Sequence, residues 1–168
     1  CGFIHPPSGM VLANEKVIGK DVDYLPDAGV IIETPGFISY YSGLQNLKVL
    51  AGIKNKIDNS QIRDAMKRVG LDPDLKLPVK KYSLGMRQRL GLAQAIMESP
   101  SVLILDEPMN GLDKNGVEEI RQLLLSMKND HKTIVIASHN AEDIQVLCDE
   151  VYEMENGKLE VNSIKQQI

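Results

Sequence analysis

Two adjacent carboxylates, Asp106 and Glu107, stand directly after the apolar run at residues 102–105. The run shows no polar alternation, which predicts a parallel strand that is buried on both faces. Ligands of such sheets bind beyond the carboxyl ends of the strands, where this pair lies. One acid there can hold Mg²⁺ through its water shell, and the other can activate an attacking water molecule. The alternative is a buried strand that ends in two acids by chance, one of them capping the next turn.

The neighbouring segments must position this pair. Ser83 and Gly85 precede an amphipathic helix whose apolar face carries Met86, Leu90, Ala93 and Met97. The segment NGLD ends at Asp113, which can cap a second helix with an apolar stripe at residues 117, 120, 124 and 127. The run TIVIASH predicts another buried strand, which ends at His139. Strands and helices therefore alternate around the acidic pair, as in an α/β fold.

In this order, YSLGMRQRL, VLILDEP, NGLD and SHN resemble four motifs of the ATPase of ATP-binding cassette (ABC) transporters. They match the signature, the Walker B strand, the D-loop and the switch-histidine loop. The resemblance covers nearly the whole chain. It implies an α/β fold of the P-loop NTPase type, with a mostly parallel sheet and an inserted helical subdomain. It also implies ATP and Mg²⁺ as cofactors.

The resemblance gives the residues at the strand ends their roles. Asp106 would hold Mg²⁺, Glu107 would activate the attacking water, and His139 would bind the γ-phosphate and position that water. Glu33 follows the strand GVIIE, where the family usually has a glutamine that joins the magnesium shell. A carboxylate is still an oxygen ligand, although its charge adds repulsion near the phosphates. Taken alone, His139 would be explained as a structural histidine.

The resemblance also assigns Ser83, Gly85 and Asp113 to composite sites between two ATPase subunits. The start of the signature helix would face the nucleotide held by the opposite subunit, because free N–H groups and the helix dipole attract phosphate. Asp113 would contact the partner as well as cap its own helix. The alternative is that Ser83 is a simple N-cap, which explains the serine but not Gly85.

Two residues of the signature motif differ from its commoner form and indicate a particular branch of the family. Leu84 and Met86 replace the commoner glycine and glutamine of the signature. These departures and the segment ETPGFISYYSGLQNL resemble bacterial exporters of drugs and antimicrobial peptides. The implied function is ATP-driven transport through a transmembrane permease, with a second nucleotide-binding subunit. The implied location is cytoplasmic, peripheral at the inner face of the membrane.

The chain is expected to form one partial ABC ATPase domain. Residues 1–37 would belong to the N-terminal core with the Glu33 loop, 38–94 to the helical subdomain with the signature, and 95–168 to the C-terminal α/β core. Helices are expected to begin at Ser42, Ser60 and Asn140, and Asn156-Gly157 predicts a hairpin. Aromatic residues in 35–41 are expected either to contact the membrane subunit or to pack inside the helical subdomain.

One family motif is absent from the sequence. No GxxxxGK followed by Ser or Thr occurs in the 168 residues. That loop supplies the backbone N–H groups and the lysine that cradle the phosphates. We therefore expect the chain to start late and to lack a strand-loop-helix unit of roughly 30 residues.

Composition excludes several other functional classes. Nineteen Lys and Arg residues against 23 Asp and Glu residues give a net charge of −4, which disfavours nucleic acid as the main partner. Cys1 and Cys148 form no spaced pattern, which argues against a disulfide framework or a zinc site. No apolar stretch approaches the roughly 20 residues that cross a bilayer. A non-catalytic regulatory module, or a soluble ABC-type ATPase without a transport role, remain as alternatives.

The missing motif leads to a first prediction. The purified 168-residue chain should show little or no ATPase activity, because it lacks the loop that cradles the phosphates. Phosphate release from ATP should be measured beside an intact transporter ATPase as the positive control. Turnover comparable to that control would show that the phosphates are held by other residues.

Overall fold

The computed structural model describes residues 1–13, 15–33 and 36–161. Seven strands are formed in these ranges: β1 Leu12–Ala13, β2 Lys16–Val17, β3 Ala28–Ile31, β4 Val102–Asp106, β5 Thr133–Ala137, β6 Tyr152–Glu155 and β7 Lys158–Val161. The α-helices are α1 Gly43–Lys54, α2 Asn59–Arg68, α3 Leu84–Ile96, α4 Lys114–Asn129 and α5 Ala141–Leu147. A short 3-10 helix, Val79–Lys81, precedes α3.

The centre of the molecule is a parallel sheet in the order β3-β4-β5. Ile31 of β3 lies opposite Leu105 of β4, and Asp106 lies opposite Ala137 of β5. The three strands therefore end at one edge of the sheet. The parallel arrangement predicted from the apolar runs is confirmed, although β5 ends at Ala137 rather than at His139.

Burial in the central strand alternates, so the prediction that it is buried on both faces was wrong. Leu103 and Leu105 are buried, whereas Val102 and Ile104 are only partly buried. The buried face packs against helices, since α3 contacts β3 and α4 contacts β5. The opposite face stays partly exposed, and Val135 of β5 is 54% exposed. Helices thus cover one face of the described sheet.

Side-chain caps define where the helices start. Ser42 caps α1 in a reciprocal capping box with Gln45, as the sequence predicted. Asn140 caps α5, also as predicted. The predicted cap of α2, Ser60, was wrong. The N-cap is Asp58, whose side chain accepts the N–H of Gln61. Asp58 is the better cap because Gln61 then occupies the third helical position. From there the Gln61 side-chain oxygen accepts the backbone N–H of Asp58.

The helices and the sheet share one hydrophobic core. Leu47 of α1, Met66 of α2, Leu90 of α3 and Leu103 of β4 belong to the same buried cluster. The helix α3 ends at Ile96, two residues past the expected boundary at 94. Because the core is continuous, the division into subdomains at 37 and 94 stays a prediction.

Two hairpins flank the central unit. Strands β1 and β2 pair near the N-terminus, and β6 and β7 pair antiparallel around Asn156-Gly157. Both turn residues have positive φ, 51° at Asn156 and 75° at Gly157, as the predicted two-residue hairpin requires. No helix in the described residues is long and apolar enough to span a bilayer.

Gly29 allows α3 to approach the sheet closely. A Cβ atom at Gly29 would lie 1.9 Å from the backbone oxygen of Ala95 in α3, so an alanine there must push the helix away. Gly52 of α1 provides the matched control, because a Cβ at that position meets open space.

We predict opposite effects for the two substitutions. Gly29→Ala should lower the free energy of unfolding by about 1–3 kcal/mol through overpacking. Gly52→Ala should raise it by about 0.5–1 kcal/mol, because alanine is the better helix former. Urea denaturation of both variants measures the difference. Equal midpoints for the two would contradict the close approach of α3 to β3.

Candidate functional site

The carboxyl edge of the sheet collects four of the predicted residues. Glu33 follows β3, Asp106 ends β4 and Glu107 comes next, and His139 follows β5. This convergence results from the parallel ladder, in which Asp106 stands opposite Ala137. A cavity of about 150 Å³ lies at this edge, lined by Glu33, Leu84, Arg87, Gln88, Asp106, Glu107 and Asn110.

Asp106 is fixed by the loop after β3. The backbone N–H of Glu33 donates to Asp106 Oδ2 over 3.3 Å. Glu33 itself has φ of 52°, in the left-handed region that a non-glycine residue seldom adopts. The contact between the two residues therefore runs through the Glu33 backbone.

The donor chemistry of this edge fits Mg²⁺. In the described ranges, no group of three or more His, Cys, Asp or Glu side chains is arranged to enclose a metal ion. Mg²⁺ keeps several water ligands and takes further oxygens from substrate phosphates, so one or two protein carboxylates suffice. Asp106 and Glu33 both line the cavity and supply such oxygens. The metal assignment of the two acids stays a prediction.

Glu107 and His139 form a close pair. Glu107 Oε1 accepts the backbone N–H of His139 over 3.1 Å and lies 2.7 Å from His139 Nδ1. The imidazole is otherwise open, since its side chain is 89% exposed. A carboxylate at Nδ1 favours the proton on that nitrogen and directs Nε2 outward. The pair thus combines a proton acceptor with an outward-facing imidazole.

The Glu107 backbone is strained and held from several sides. Its φ is 46°, and its N–H donates to the Ala137 carbonyl of β5 over 2.9 Å. Its own carbonyl accepts the N–H of Asn110 and the side-chain amide of Gln88, both over 3.1 Å. Gln88 also donates to the Pro108 carbonyl over 3.1 Å. These bonds fix the turn that presents the Glu107 carboxylate.

Gln88 was missed by the sequence analysis. It is 7% exposed and lies on the buried stripe of α3 together with Leu92 and Ala95, at spacings of four and seven residues. A polar residue on such a stripe needs buried hydrogen-bond partners, and this signal was present in the sequence. Arg87, which was left out of the predicted site, lines the cavity and donates to the Tyr82 carbonyl over 2.9 Å.

The start of α3 has an internal structural explanation. Ser83 Oγ accepts the N–H of Met86 over 3.2 Å, so Ser83 is the N-cap. A Cβ on Gly85 would lie 2.7 Å from the Gly111 carbonyl oxygen, which shows that glycine is needed for close packing on the NGLD segment. Both residues thus have intrachain roles, and their contact with a nucleotide stays a prediction.

Asp113 caps α4 as expected. Its Oδ1 accepts the N–H of Gly116 over 2.8 Å. Neither Asp113 nor Ser83 lines the cavity that contains Asp106. The structure thus joins Glu33, Asp106, Glu107 and His139 at one edge, whereas Ser83, Gly85 and Asp113 lie outside the cavity, at the starts of α3 and α4. The predicted contact of Asp113 with a partner subunit remains a prediction.

Sequence comparison gives two informative relatives. The profile of the ABC transporter family matches residues 1–110. The uncharacterized ABC transporter ATP-binding protein YybJ of Bacillus subtilis is 41% identical over 161 residues, covering 96% of this chain and 74% of YybJ. The bacitracin transport ATP-binding protein BcrA of Enterococcus faecalis is 44% identical over 137 residues, covering 80% of this chain. The matched residues span only 44% of BcrA.

A solved structure shares the fold. The post-hydrolysis dimer of the ATP-binding cassette MJ0796, bound to ADP and Pi, matches with a TM-score of 0.78 and 19% identity. The match covers 93% of this chain and 74% of that chain. At this identity the similarity supports the fold alone, and it confirms the expected P-loop NTPase-like α/β architecture.

The buried amide of Gln88 generates a further prediction. Gln88→Leu should lower the free energy of unfolding by about 1–3 kcal/mol, because the buried Pro108 carbonyl loses the side-chain donor that it shares with Glu107. Gln122→Leu is the matched control, because the Gln122 amide donates to Glu118 on the exposed face of α4. Loss of this exposed hydrogen bond should change the free energy of unfolding by less than about 0.5 kcal/mol. Urea denaturation compares the two variants. Equal losses would show that Gln88 does not hold the Glu107 turn.

Proposed function

Because the chain belongs to the ABC transporter family of ATP-binding proteins, we propose that the protein containing it hydrolyses ATP to drive transport across a membrane. The observation that carries this proposal is the Glu107 carboxylate at the edge of the sheet, beside Asp106 and in contact with His139. The backbone N–H and Nδ1 of His139 both contact Oε1 and orient this carboxylate, and a carboxylate held in one place can receive a proton from water.

Glu107 acts as the general base in this mechanism. Water attacks the γ-phosphorus and gives a proton to the Glu107 carboxylate, while the bond from that phosphorus to the β-phosphate oxygen breaks. The strained turn holds the carboxylate at the strand end, so little reorganisation is needed when the water arrives. ADP and phosphate are the products.

His139 orients the γ-phosphate. With Nδ1 beside Glu107, Nε2 is the nitrogen that reaches outward. Donation from Nε2 to phosphate, while Nδ1 donates to Glu107, requires the doubly protonated ring.

Asp106 and Glu33 are the residues that would hold Mg²⁺. The ion, when bound, neutralises charge on the phosphate oxygens. The carboxylate of Asp106 is aligned for this role by the Glu33 N–H. The side chain of Glu33 lines the same cavity and supplies a second oxygen donor.

The start of α3 supports a two-subunit arrangement. Ser83 is exposed and lies outside the cavity that contains the acids. We infer that Ser83 and Gly85 face a nucleotide bound to a second subunit, as in the family. Asp113, also exposed, would meet the same partner.

An aromatic segment supports a contact with a transmembrane permease. Ile38, Tyr40 and Tyr41 are exposed, with Tyr40 at 77%, whereas Phe37 packs against the core. Pro35, the first residue of this predicted segment, lies outside the described residues. Exposed tyrosines are favoured at interface centres, so the exposure favours docking over internal packing. The protein would then work in the cytoplasm, at the inner face of the membrane.

Similarity to BcrA, which is named for bacitracin transport, indicates the cargo class. We infer that the cargo is a drug or an antimicrobial peptide and that the direction is export.

The base assignment can be tested in the full-length gene product. Glu107→Gln should retain ATP binding and lower the hydrolysis rate by roughly 100-fold or more, because the amide accepts no proton from water. Glu155→Gln, in the exposed hairpin strand β6, is the matched control and should hydrolyse ATP at the wild-type rate. Filter binding and phosphate release are the two measurements. A Glu107→Gln protein that hydrolyses ATP normally would refute the proposed role of Glu107.

A further inference from the structure

Arg121 of α4 and Asp143 of α5 form a buried ion pair. Arg121 is 7% exposed and Asp143 is 2% exposed. The guanidinium donates to Asp143 Oδ1 from Nε over 2.8 Å and from Nη2 over 2.6 Å. Nη2 also lies 3.0 Å from Glu142 Oε2, and Nη1 lies 3.9 Å from Glu118 Oε2.

The pair is placed next to the imidazole of the candidate site. Asp143 lies four residues after His139, in the first turn of α5, and Asn140 caps that turn. Asn140 Oδ1 accepts the N–H groups of Glu142 and Asp143 over 2.9 and 3.4 Å. The position of this first turn therefore sets where the chain leaves His139.

The helix α5 has few anchors of its own. It has seven residues, and an isolated helix of this length is not stable in water. Its buried residues are Asp143, at the His139 end, and Leu147, at the other end. The first turn is thus held to the body of the protein through Arg121.

A buried ion pair is a poor device for stability alone. Removing two charges from water costs about as much free energy as their attraction returns, and apolar residues of similar volume often replace such a pair without loss. An arginine fork accepts few orientations of its partner, so such a pair can fix the geometry of the two elements that it joins. The pKa values of these groups show the same interaction. Hydrogen bonds to the carboxylates of Glu142 and Asp143 raise the pKa of the Arg121 guanidinium, and Arg121 lowers the pKa of Glu142.

We propose that Arg121 and Asp143 are positioning residues that hold His139 in its catalytic place. The pair ties α4, which begins at the NGLD segment, to the turn that carries the imidazole. The imidazole is mostly exposed, and its described side-chain contact is with Glu107. Loss of the pair would let the turn and His139 shift together. This inference rests on the proposed hydrolytic function.

A second ion pair, between α4 and the segment that follows α5, supplies the control. Lys128, in the last turn of α4, pairs with Asp149, just after α5. This pair is exposed and lies at the end of α5 that is far from His139 in sequence. Asp143→Asn and Asp149→Asn therefore each remove one negative charge from an ion pair with α4, and only the first acts on the His139 turn.

The test measures kcat, KM for ATP and the melting temperature of the full-length protein. Asp143→Asn should lower kcat by about tenfold or more with KM within about twofold, because a small displacement of a positioned group costs up to roughly 100-fold. Asp149→Asn should leave both constants within about twofold of wild type. Arg121→Lys keeps the positive charge but loses the forked guanidinium, so its kcat should lie between those of Asp143→Asn and Asp149→Asn. This variant provides the measurement if Asp143→Asn does not fold.

The outcomes separate this inference from the proposed function. Glu107→Gln is assayed beside the other variants. If Glu107→Gln abolishes hydrolysis while folded Asp143→Asn and Arg121→Lys keep the wild-type kcat, the positioning role is overturned and the proposed function stands. If Asp149→Asn loses as much kcat as Asp143→Asn, or if the loss appears only in KM, the positioning role is also overturned. If Glu107→Gln hydrolyses ATP normally, the proposed function itself fails.

Discussion

The parallel register of three strands is the constraint on which the site depends. With Ile31 opposite Leu105 and Asp106 opposite Ala137, the chain leaves all three strands at the same edge. A slip of one residue in β4 would exchange its two faces and place Ile104 where Leu105 now packs. The acids would then leave the edge where the Glu33 N–H and His139 meet them. Core packing and site geometry are therefore set by the same choice of register.

The starts of two helices are joined by an equally strict contact. The backbone of Gly85 in α3 lies so close to the Gly111 carbonyl that no Cβ fits between them. Gly111 has φ of 74° and lies beneath the side chain of Leu84. The first turn of α3 and the NGLD segment before α4 are therefore packed as one unit. Since α4 carries Arg121, this unit is also connected through the buried ion pair to the turn after His139.

Local sequence signals predicted much of the fold, and the reason is visible in particular residues. Ser42, Asp113 and Asn140 are caps because each contacts N–H groups two or three residues ahead, and that interaction needs no distant partner. The error at Ser60 has a local cause as well, since Asp58 and Ser60 are both competent caps and only Asp58 has a glutamine three residues later. Contacts between distant segments could not be predicted in this way. Gln88 lies 19 residues from Glu107, and Arg121 lies 22 residues from Asp143, so both contacts depend on how the helices pack. The alternating burial of β4 has the same origin, because it depends on which face of the sheet the helices cover.

Two residues with a strained backbone lie at the carboxyl edge of the sheet, and the hydrogen bonds around them show which side chains they position. Glu33 and Glu107 both have positive φ although neither is glycine, and each such residue costs roughly 1–3 kcal/mol. Strain of this size persists only where the surrounding structure determines the conformation. Here the Glu107 turn is bound to Ala137 of β5, to Asn110 and to Gln88 of α3, while Glu33 is bound through its N–H to Asp106. Both strained turns carry carboxylates, and their bonds hold one of those carboxylates, that of Glu107, against an exposed imidazole. The proposed general base needs a carboxylate held in one place in this way.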